Sequence, residues 1–243
     1  MWAYVGTMSD KPVLKLDWCS YAAAKYAVEH WHYSQSLPPF PLVTIGVWEN
    51  ARFVGAVVFG RGVNKNLCKA YQRAMTEICE LTRVALTTHA SATSKIIRIA
   101  VRLLARANPG LRLIVSYADP NHGHHGGIYQ ALGWIFDGQT QADFVAIDRA
   151  GRRWHSRQVS ASGHKRKFGK VCRVPKVSEC RVVSLSGKYR YLCPLDAAVR
   201  AQIASRAQPY PKRATSIVAD AAPVQGEEGG ATPTVALSGA EVS

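Results

Sequence analysis

The segment from Ile78 to Asp119 constrains the fold most. It reads ICELTRVAL, then HASATSKIIRIAVRLLARANPG, then LRLIVSYAD. The outer pieces are short apolar runs rich in β-branched residues, as buried strands are. The middle piece spaces its apolar residues for one helical face, opens on Ser and Thr, and stops at Asn108-Pro109-Gly110, which predicts an amphipathic helix. Strand, helix and strand in direct succession bury their apolar faces by layering, which places the chain among mixed α/β proteins.

The flanking sequence extends this layer. LVTIGVWENARFVGAVVFGRG predicts a hairpin turning at Glu49-Asn50-Ala51-Arg52. Ahead of it lie a short strand in VLKLD and a helix in SYAAAKYAVEHWHYS, ended by Pro38, Pro39 and Pro41. Behind it, GGIYQALG predicts a short helix closed by Gly133, and WIFDG a strand. We expect a core over residues 1–151, a β-rich extension over 152–213 packed on that core, and a tail over 214–243. The tail is rich in Ala, Gly, Pro and Thr without a basic residue, a composition that predicts disorder.

Charge divides along the same lines. Residues 1–151 carry 15 Lys and Arg against 10 Asp and Glu, residues 152–213 carry 16 against 2, and residues 214–243 none against 4. Nearly all of the net charge of +15 therefore sits in one segment, which suits a polyanion better than general solvation does. Its basic residues include Arg152, Arg153, Arg157, Lys165, Arg166, Lys167, Lys170, Arg173 and Lys176, with Trp154 and Phe168 between them. Lys188, Tyr189 and Arg190 follow in KYRYL, where an aromatic ring suits stacking on a base.

No apolar run approaches the roughly 18 residues that cross a bilayer, and the start MWAYVGTMSDKP lacks the pattern of an export signal. The expected compartment is the cytoplasm, with six reduced cysteines.

Reactive residues concentrate in SYADPNHGHHGGIYQALGWIFDG, Ser116 to Gly138. His122, His124 and His125 invite a zinc reading, but no Cys or further carboxylate lies at ligand spacing. Asp119 ends a strand before Pro120, the edge where α/β sheets face ligands; the same residue type also builds simple Asx-turns. Arg83 lies on a central strand, either paired structurally or facing a ligand. His32, at a helix end, is a base, a metal ligand, or a histidine complementing the helix dipole.

The element order resembles the acetyltransferase fold of the GNAT superfamily, and IYQALGWIFDG resembles the end of that core. This implies a tyrosine, here Tyr129, that protonates a departing coenzyme A thiolate. The pyrophosphate loop of that superfamily is glycine-rich, whereas the matching place here reads THASATSKII. The resemblance implies that acetyl-CoA or another acyl-CoA is held by Arg83, Val84, Leu86, Ala90, Ser91, Ala92, Thr93 and Ser94.

A narrower resemblance covers Asp17 to Lys212. EHWHYSQSLP, CELTRVAL, SYADPNHGHHGGIYQALGWIFDG, SGKYRYL and PYPK stand in this order in a pattern similar to the phage Mom-like DNA-modification proteins, a divergent GNAT-like branch. It implies modification of the N6 amine of adenine in phage DNA as a shield against restriction. His32, Tyr33, Asp119 and Tyr129 are then the catalytic residues, and double-stranded DNA with a flipped adenine is the substrate; a dimer is compatible. The family's carbamoyl-type product contains a nitrogen that an acetyl thioester lacks. Either the donor differs, a redox metal such as iron (at His32 or His124) rearranges the adduct, or the product is plain N6-acyladenine. Two alternatives stand beside this reading: a GNAT acetyltransferase acting on a protein or small amine, and a non-catalytic nucleic-acid-binding protein.

Overall fold

The computed structural model describes residues 11–39, 41–61, 66–167 and 169–212, with Lys167 described in its backbone only. Phe168 and the tail from 214 lie outside the described residues. In chain order the elements are β1 (Leu14–Trp18), α1 (Tyr21–Trp31), β2 (Leu42–Glu49), β3 (Arg52–Gly60), α2 (Leu67–Ala70), β4 (Ile78–Leu86), α3 (Thr93–Ala107), β5 (Leu113–Ala118), α4 (Gly127–Gln130) and β6 (Ile135–Gln139). They continue with β7 (Asp143–Ile147), β8 (Arg153–His155), β9 (His164–Lys167), β10 (Lys170–Arg173), β11 (Arg181–Leu185), β12 (Tyr189–Pro194) and α5 (Ala197–Ile203). The order expected from the sequence, a strand and helix, a hairpin, then strand, helix, strand, helix and strand, is the order found, except that the short α2 intervenes between the hairpin and β4.

Seven strands form the main sheet in the order β1-β2-β3-β4-β5-β12-β6. Helix α3 covers one face with Ile96, Ile97, Ala100, Val101 and Leu104, which pack on Val54, Val57 and Phe59 of β3. Helix α1 covers the other with Ala24, Ala27 and Val28, against Ala56, Val58 and Ala85. Small residues on both sides of that contact let the helix approach the sheet closely. β3 is apolar on both faces because both are covered.

The β2–β3 turn is a two-residue loop with left-handed backbone at both centres, Asn50 at φ 50° and Ala51 at φ 62°. Such turns match strand twist and favour Asn-Gly. An alanine in this region is strained by about 1 kcal/mol, so Ala51→Gly is expected to raise the unfolding free energy by about that much. A denaturant titration checks it; unchanged or lowered stability would contradict the reading of the turn.

β4 and β5 run parallel, from Ile78 opposite Leu113 to Leu81 opposite Ser116, and then part. Beyond that point β4 stays with β3 up to Leu86, while β5 stays with β12 up to Ala118. The register of β4 against β3 slips at the same place: Val58 faces Arg83 and Phe59 faces Leu81, leaving Thr82 as an extra residue. A bulge bends and twists its strand. The sheet therefore splays at the C-terminal ends of its parallel pair, where open α/β sheets take their ligands.

The basic segment contributes to this sheet. β12 lies between β5 and β6, and its Tyr191 and Leu192 are fully buried. The remaining strands form a three-stranded sheet, β11-β7-β8, and the β9–β10 hairpin. No helix among the described residues is long and apolar enough to cross a membrane.

Candidate active site

A cleft of about 620 Å³ opens where β4 and β5 part. Its walls come from the end of α1 (Trp31, His32, Tyr33), from β4 (Leu81 to Val84), from the end of β5 (Tyr117 to Asp119), and from the following loop with α4 (Gly123 to Tyr129). Residues separated by almost a hundred positions thus share one cavity, and His32, Tyr33, Arg83, Asp119, His124 and Tyr129 are all among them.

His32 ends α1: its backbone is extended, with φ −118° and ψ 134°. This turns its ring away from the helix line, while His30 stays on α1 and stacks on Tyr26 at 4.1 Å. The backbone N–H of Ser34 donates to His32 Nδ1 at 3.1 Å, and Ser34 Oγ lies 2.8 Å from the same nitrogen. A backbone N–H can only donate, so Nδ1 is unprotonated and the neutral ring carries its proton on Nε2. In this tautomer the hydrogen-bonding group that His32 has left to offer is the Nε2–H donor.

Burial lowers the His32 pKa to about 4, helped by the charges of Arg83, His124, His122 and Lys188. An unfolded histidine binds its proton near pH 6.5, so between pH 6.5 and about 4 the unfolded chain holds a proton that folded His32 refuses. Stability then falls as pH falls through this window. Denaturant titrations at pH 7.5 and 5 should show this loss in the wild type and a smaller one in His32→Gln; equal losses would contradict the assignment.

Tyr33 stands half-exposed at the mouth, with ring centroids 4.4 Å from His32, 4.3 Å from His122 and 5.4 Å from His124. Arg83 crosses beneath, donating from Nε to the Ser36 carbonyl at 3.1 Å and from Nη1 to the Thr82 carbonyl at 2.7 Å. Burial lowers its pKa, and the Glu80 charge works in the opposite sense. Regular alternation would put Glu80 and Arg83 on opposite faces; the bulge at Thr82 undoes it.

Asp119 is buried at 8% exposure and makes the Asx-turn that opens the loop, accepting from Asn121 N at 3.0 Å and from Asn121 Nδ2 at 2.9 Å. Lys188 Nζ lies 3.1 Å from its other oxygen. Burial raises its pKa, but Asn121 and Lys188 outweigh that and hold it below the usual range. Tyr129 is buried, and its pKa is pushed up to about 12, chiefly by burial. Ser116 Oγ lies 2.7 Å from its oxygen and 2.9 Å from the Leu81 carbonyl. Serine has one proton to give. When Leu81 takes it, Tyr129 donates to Ser116; when Tyr129 takes it, the phenol proton is free for the cleft.

Beneath the loop, Tyr191 Oη donates to the His125 carbonyl at 2.5 Å, and Gln130 Nε2 donates to Tyr191 Oη at 3.0 Å. Gly126, at φ 84°, packs against that ring; a Cβ there would lie 2.2 Å from Tyr191. Sequence reasoning missed Ser34, Ser116, Gln130 and Tyr191, which orient the cleft residues. All four lie inside the quoted motifs, but no residue pattern there marks them as partners of the cleft residues.

Several expected residues lie elsewhere. Ala90 to Ser94 do not line the cleft. The amides of Ala90 and Ser91 instead donate to the Glu49 carboxylate at 2.7 and 2.8 Å. Val84 lines the cleft, and Leu86 packs on the core. Of Lys188, Tyr189 and Arg190, expected to meet DNA, Lys188 is exposed and pairs with Asp119, Tyr189 packs on Phe136 at 5.9 Å, and Arg190 binds Asp137. β12 is central, so its polar side chains need partners inside the protein. Arg152, Arg153, Arg157, Arg166, Lys170, Arg173 and Lys176 are exposed, Lys165 partly so. Among the described residues no group of three or more His, Cys, Asp or Glu is placed to hold a metal, so the donor set for iron at His32 or His124 is not assembled.

Residues 13–212 match the Mom protein family. The chain belongs to that family. The methylcarbamoylase mom of Escherichia phage Mu is 26% identical over 209 residues, covering 82% of this chain and 84% of the Mu protein. Among solved structures, an IAA acetyltransferase from Bacillus cereus aligns with 75% of this chain and all of its own, at 14% identity and a TM-score of 0.41. FeeM, an N-acyl amino acid synthase from uncultured soil microbes, aligns with 81% of this chain and 98% of its own, at 12% identity and a TM-score of 0.44. Mom family membership thus rests on the sequence match, which spans every wall of the cleft.

Proposed function

We propose that this Mom family protein transfers an acyl- or carbamoyl-type group to the N6 amine of adenine in DNA. The observation that carries the reading is the convergence of His32, Tyr33, Arg83, Asp119 and Tyr129 on the one cleft at the sheet's splay. The Mu relative's name, a methylcarbamoylase, supports group transfer of this kind, and a phage setting fits protection against restriction. The exposed basic residues between Arg152 and Lys176 suit a phosphate backbone.

Adenine N6 is paired inside a duplex and must be flipped out, at a cost of a few kcal/mol. Tyr33, which lines the cleft and packs on His122 at 4.3 Å, offers an aromatic ring to such a base. On the donor side, the edge of β4 beyond Leu81 has lost its β5 partner. An extended, amide-bearing arm such as the pantetheine of an acyl-CoA can add to a free strand edge by backbone hydrogen bonds. When N6 attacks the donor carbonyl, negative charge grows on that oxygen, and His32 Nε2–H and Arg83 stabilise it. The C–S bond then breaks, the thiolate leaves, and the N6 proton balances it. Tyr129 stays protonated and, with Ser116 donating to its oxygen, gives a hydrogen bond to the leaving sulfur.

Purified protein with a DNA duplex and an acyl thioester should release thiol only when adenine is present. DNA-independent release transferred to a peptide amine would favour a protein acetyltransferase instead. Tyr129→Phe keeps the ring packed on Trp134 and Tyr191. It should lower this rate by about 10–100-fold, the worth of one hydrogen bond to a charged group; an undiminished rate would remove Tyr129 from the reaction.

A further inference from the structure

The start of α3 is a ready-made place for an anion, yet it is filled from within the protein. The last residue of β2, Glu49, is 6% exposed and takes the amides of Ala90 and Ser91, one on each carboxylate oxygen. Those hydrogen bonds, the Ala90 amide first, hold its carboxyl below the usual range, so it is charged. The same hairpin tip is clamped a second time: Arg52 Nη2 donates to the Thr88 carbonyl at 2.7 Å. Around these two amides, His89 lies 3.2 Å from the Thr93 hydroxyl and the amides of Lys95 and Ile96 bond to the Ala92 carbonyl, while the Ser91 hydroxyl is buried without a partner. Backbone amides before a helix bind phosphate because they are free donors beside a positive dipole. Here the two amides ahead of the helix, those of Ala90 and Ser91, are taken, and the carboxylate that takes them is charged.

We infer that Glu49 occupies the phosphate position of this fold, so the donor's diphosphate is not anchored at α3 and the donor is recognised through its acyl-bearing arm alone. A phosphate set on these amides would meet a carboxylate at contact distance, and like charges at that range repel. The buried polar group is satisfied as it stands, and displacing it would leave a buried charge unpaired. Glu49 is thus a specificity residue: it turns away ligands that bind chiefly through phosphates and admits thioesters on any carrier whose arm fits the β4 edge. This inference rests on the thioester donor proposed above, and pyrophosphate provides a probe independent of it.

Calorimetric titrations of the whole protein with inorganic pyrophosphate, coenzyme A and pantetheine test it. In the wild type, pyrophosphate should not bind, and coenzyme A and pantetheine should bind within about twofold of each other. Glu49→Ser, which opens the two amides, should bind pyrophosphate and prefer coenzyme A over pantetheine by about tenfold or more. Glu49→Gln, which keeps the shape and loses the charge, should gain a smaller preference and serves where the serine variant does not fold. A wild type that prefers coenzyme A tenfold, with Ala90 and Ser91 amide signals moving on its addition, overturns the inference. So does a folded Glu49 variant that gains no affinity for pyrophosphate. If neither thiol binds the wild type while the pyrophosphate results hold, the thioester donor fails and the role of Glu49 stands.

Discussion

Replacing His32 by alanine should lower the rate of adenine modification by about 10²–10³-fold, the usual cost of losing one donor to a developing oxyanion. The protein should still fold, because the helix-ending backbone bond from His32 N to the Val28 carbonyl does not need the side chain. The size of the effect follows from the ring's fixed state. Ser34 pins Nδ1 as an acceptor, and burial with nearby positive charge keeps the ring neutral, its pKa about 4. A donor whose proton never has to move costs no reorganisation when charge appears on the substrate. His32→Gln, which can offer an amide N–H, should recover part of the lost rate, and the wild-type rate should show no loss near pH 6.5 from this residue. Rates for both variants and a pH profile decide between donor and base. Glutamine as inactive as alanine, with a rate falling below pH 6.5, would point to a base.

Asp137→Ala should lower stability by about 3–5 kcal/mol, the cost of stripping a partner from a buried ionic group. Asp137 is 5% exposed and gathers three partners: Arg190 Nε at 2.7 Å, Arg206 Nε at 3.0 Å and the Tyr71 hydroxyl at 2.6 Å. Arg206 also lies over the Tyr71 ring, 4.9 Å from its centroid. The aspartate thus ties β6, β12, the segment after α5 and the segment after α2 to one point. Without it two guanidinium groups face each other uncompensated at the edge of the core. Asp137→Asn keeps the shape but loses the charge, and should cost less. A melt showing less than about 1 kcal/mol of loss for alanine would mean that solvent reaches this cluster more freely than its burial indicates.

Much of the fold was legible because its local signals agreed. The run ICELTRVAL became β4 over the same residues, and the helix stop at Asn108 held, since a proline and a glycine follow it. The α3 start was misread by a few residues. The serines and threonines there resemble caps, but α3 begins at Thr93 after an uncapped Ala92, and the preceding amides are served by Glu49 from another strand. No local pattern announces a cap that arrives from more than forty residues away.

The site was legible where motif and position coincided. His32 and Asp119 each follow an element and Tyr129 lies within the short α4, and the fold brings the three together. KYRYL was harder to read, because exposed and buried strands can carry the same alternation of basic and aromatic residues. Its arginine is partly buried and meets Asp137, a pairing between residues fifty-three positions apart. The bulge at Thr82, which opens the cleft, leaves no mark in the sequence; it is a slip of register between two strands that each look regular.

The central claim is that this cleft modifies adenine N6 in DNA, and mass spectrometry of nucleosides from cells expressing the protein tests it most directly. The account predicts a deoxyadenosine carrying an acyl or carbamoyl substituent on N6 in the wild type, and none in His32→Ala. Unmodified deoxyadenosine in the wild type, or an adduct that persists undiminished in His32→Ala, would contradict it.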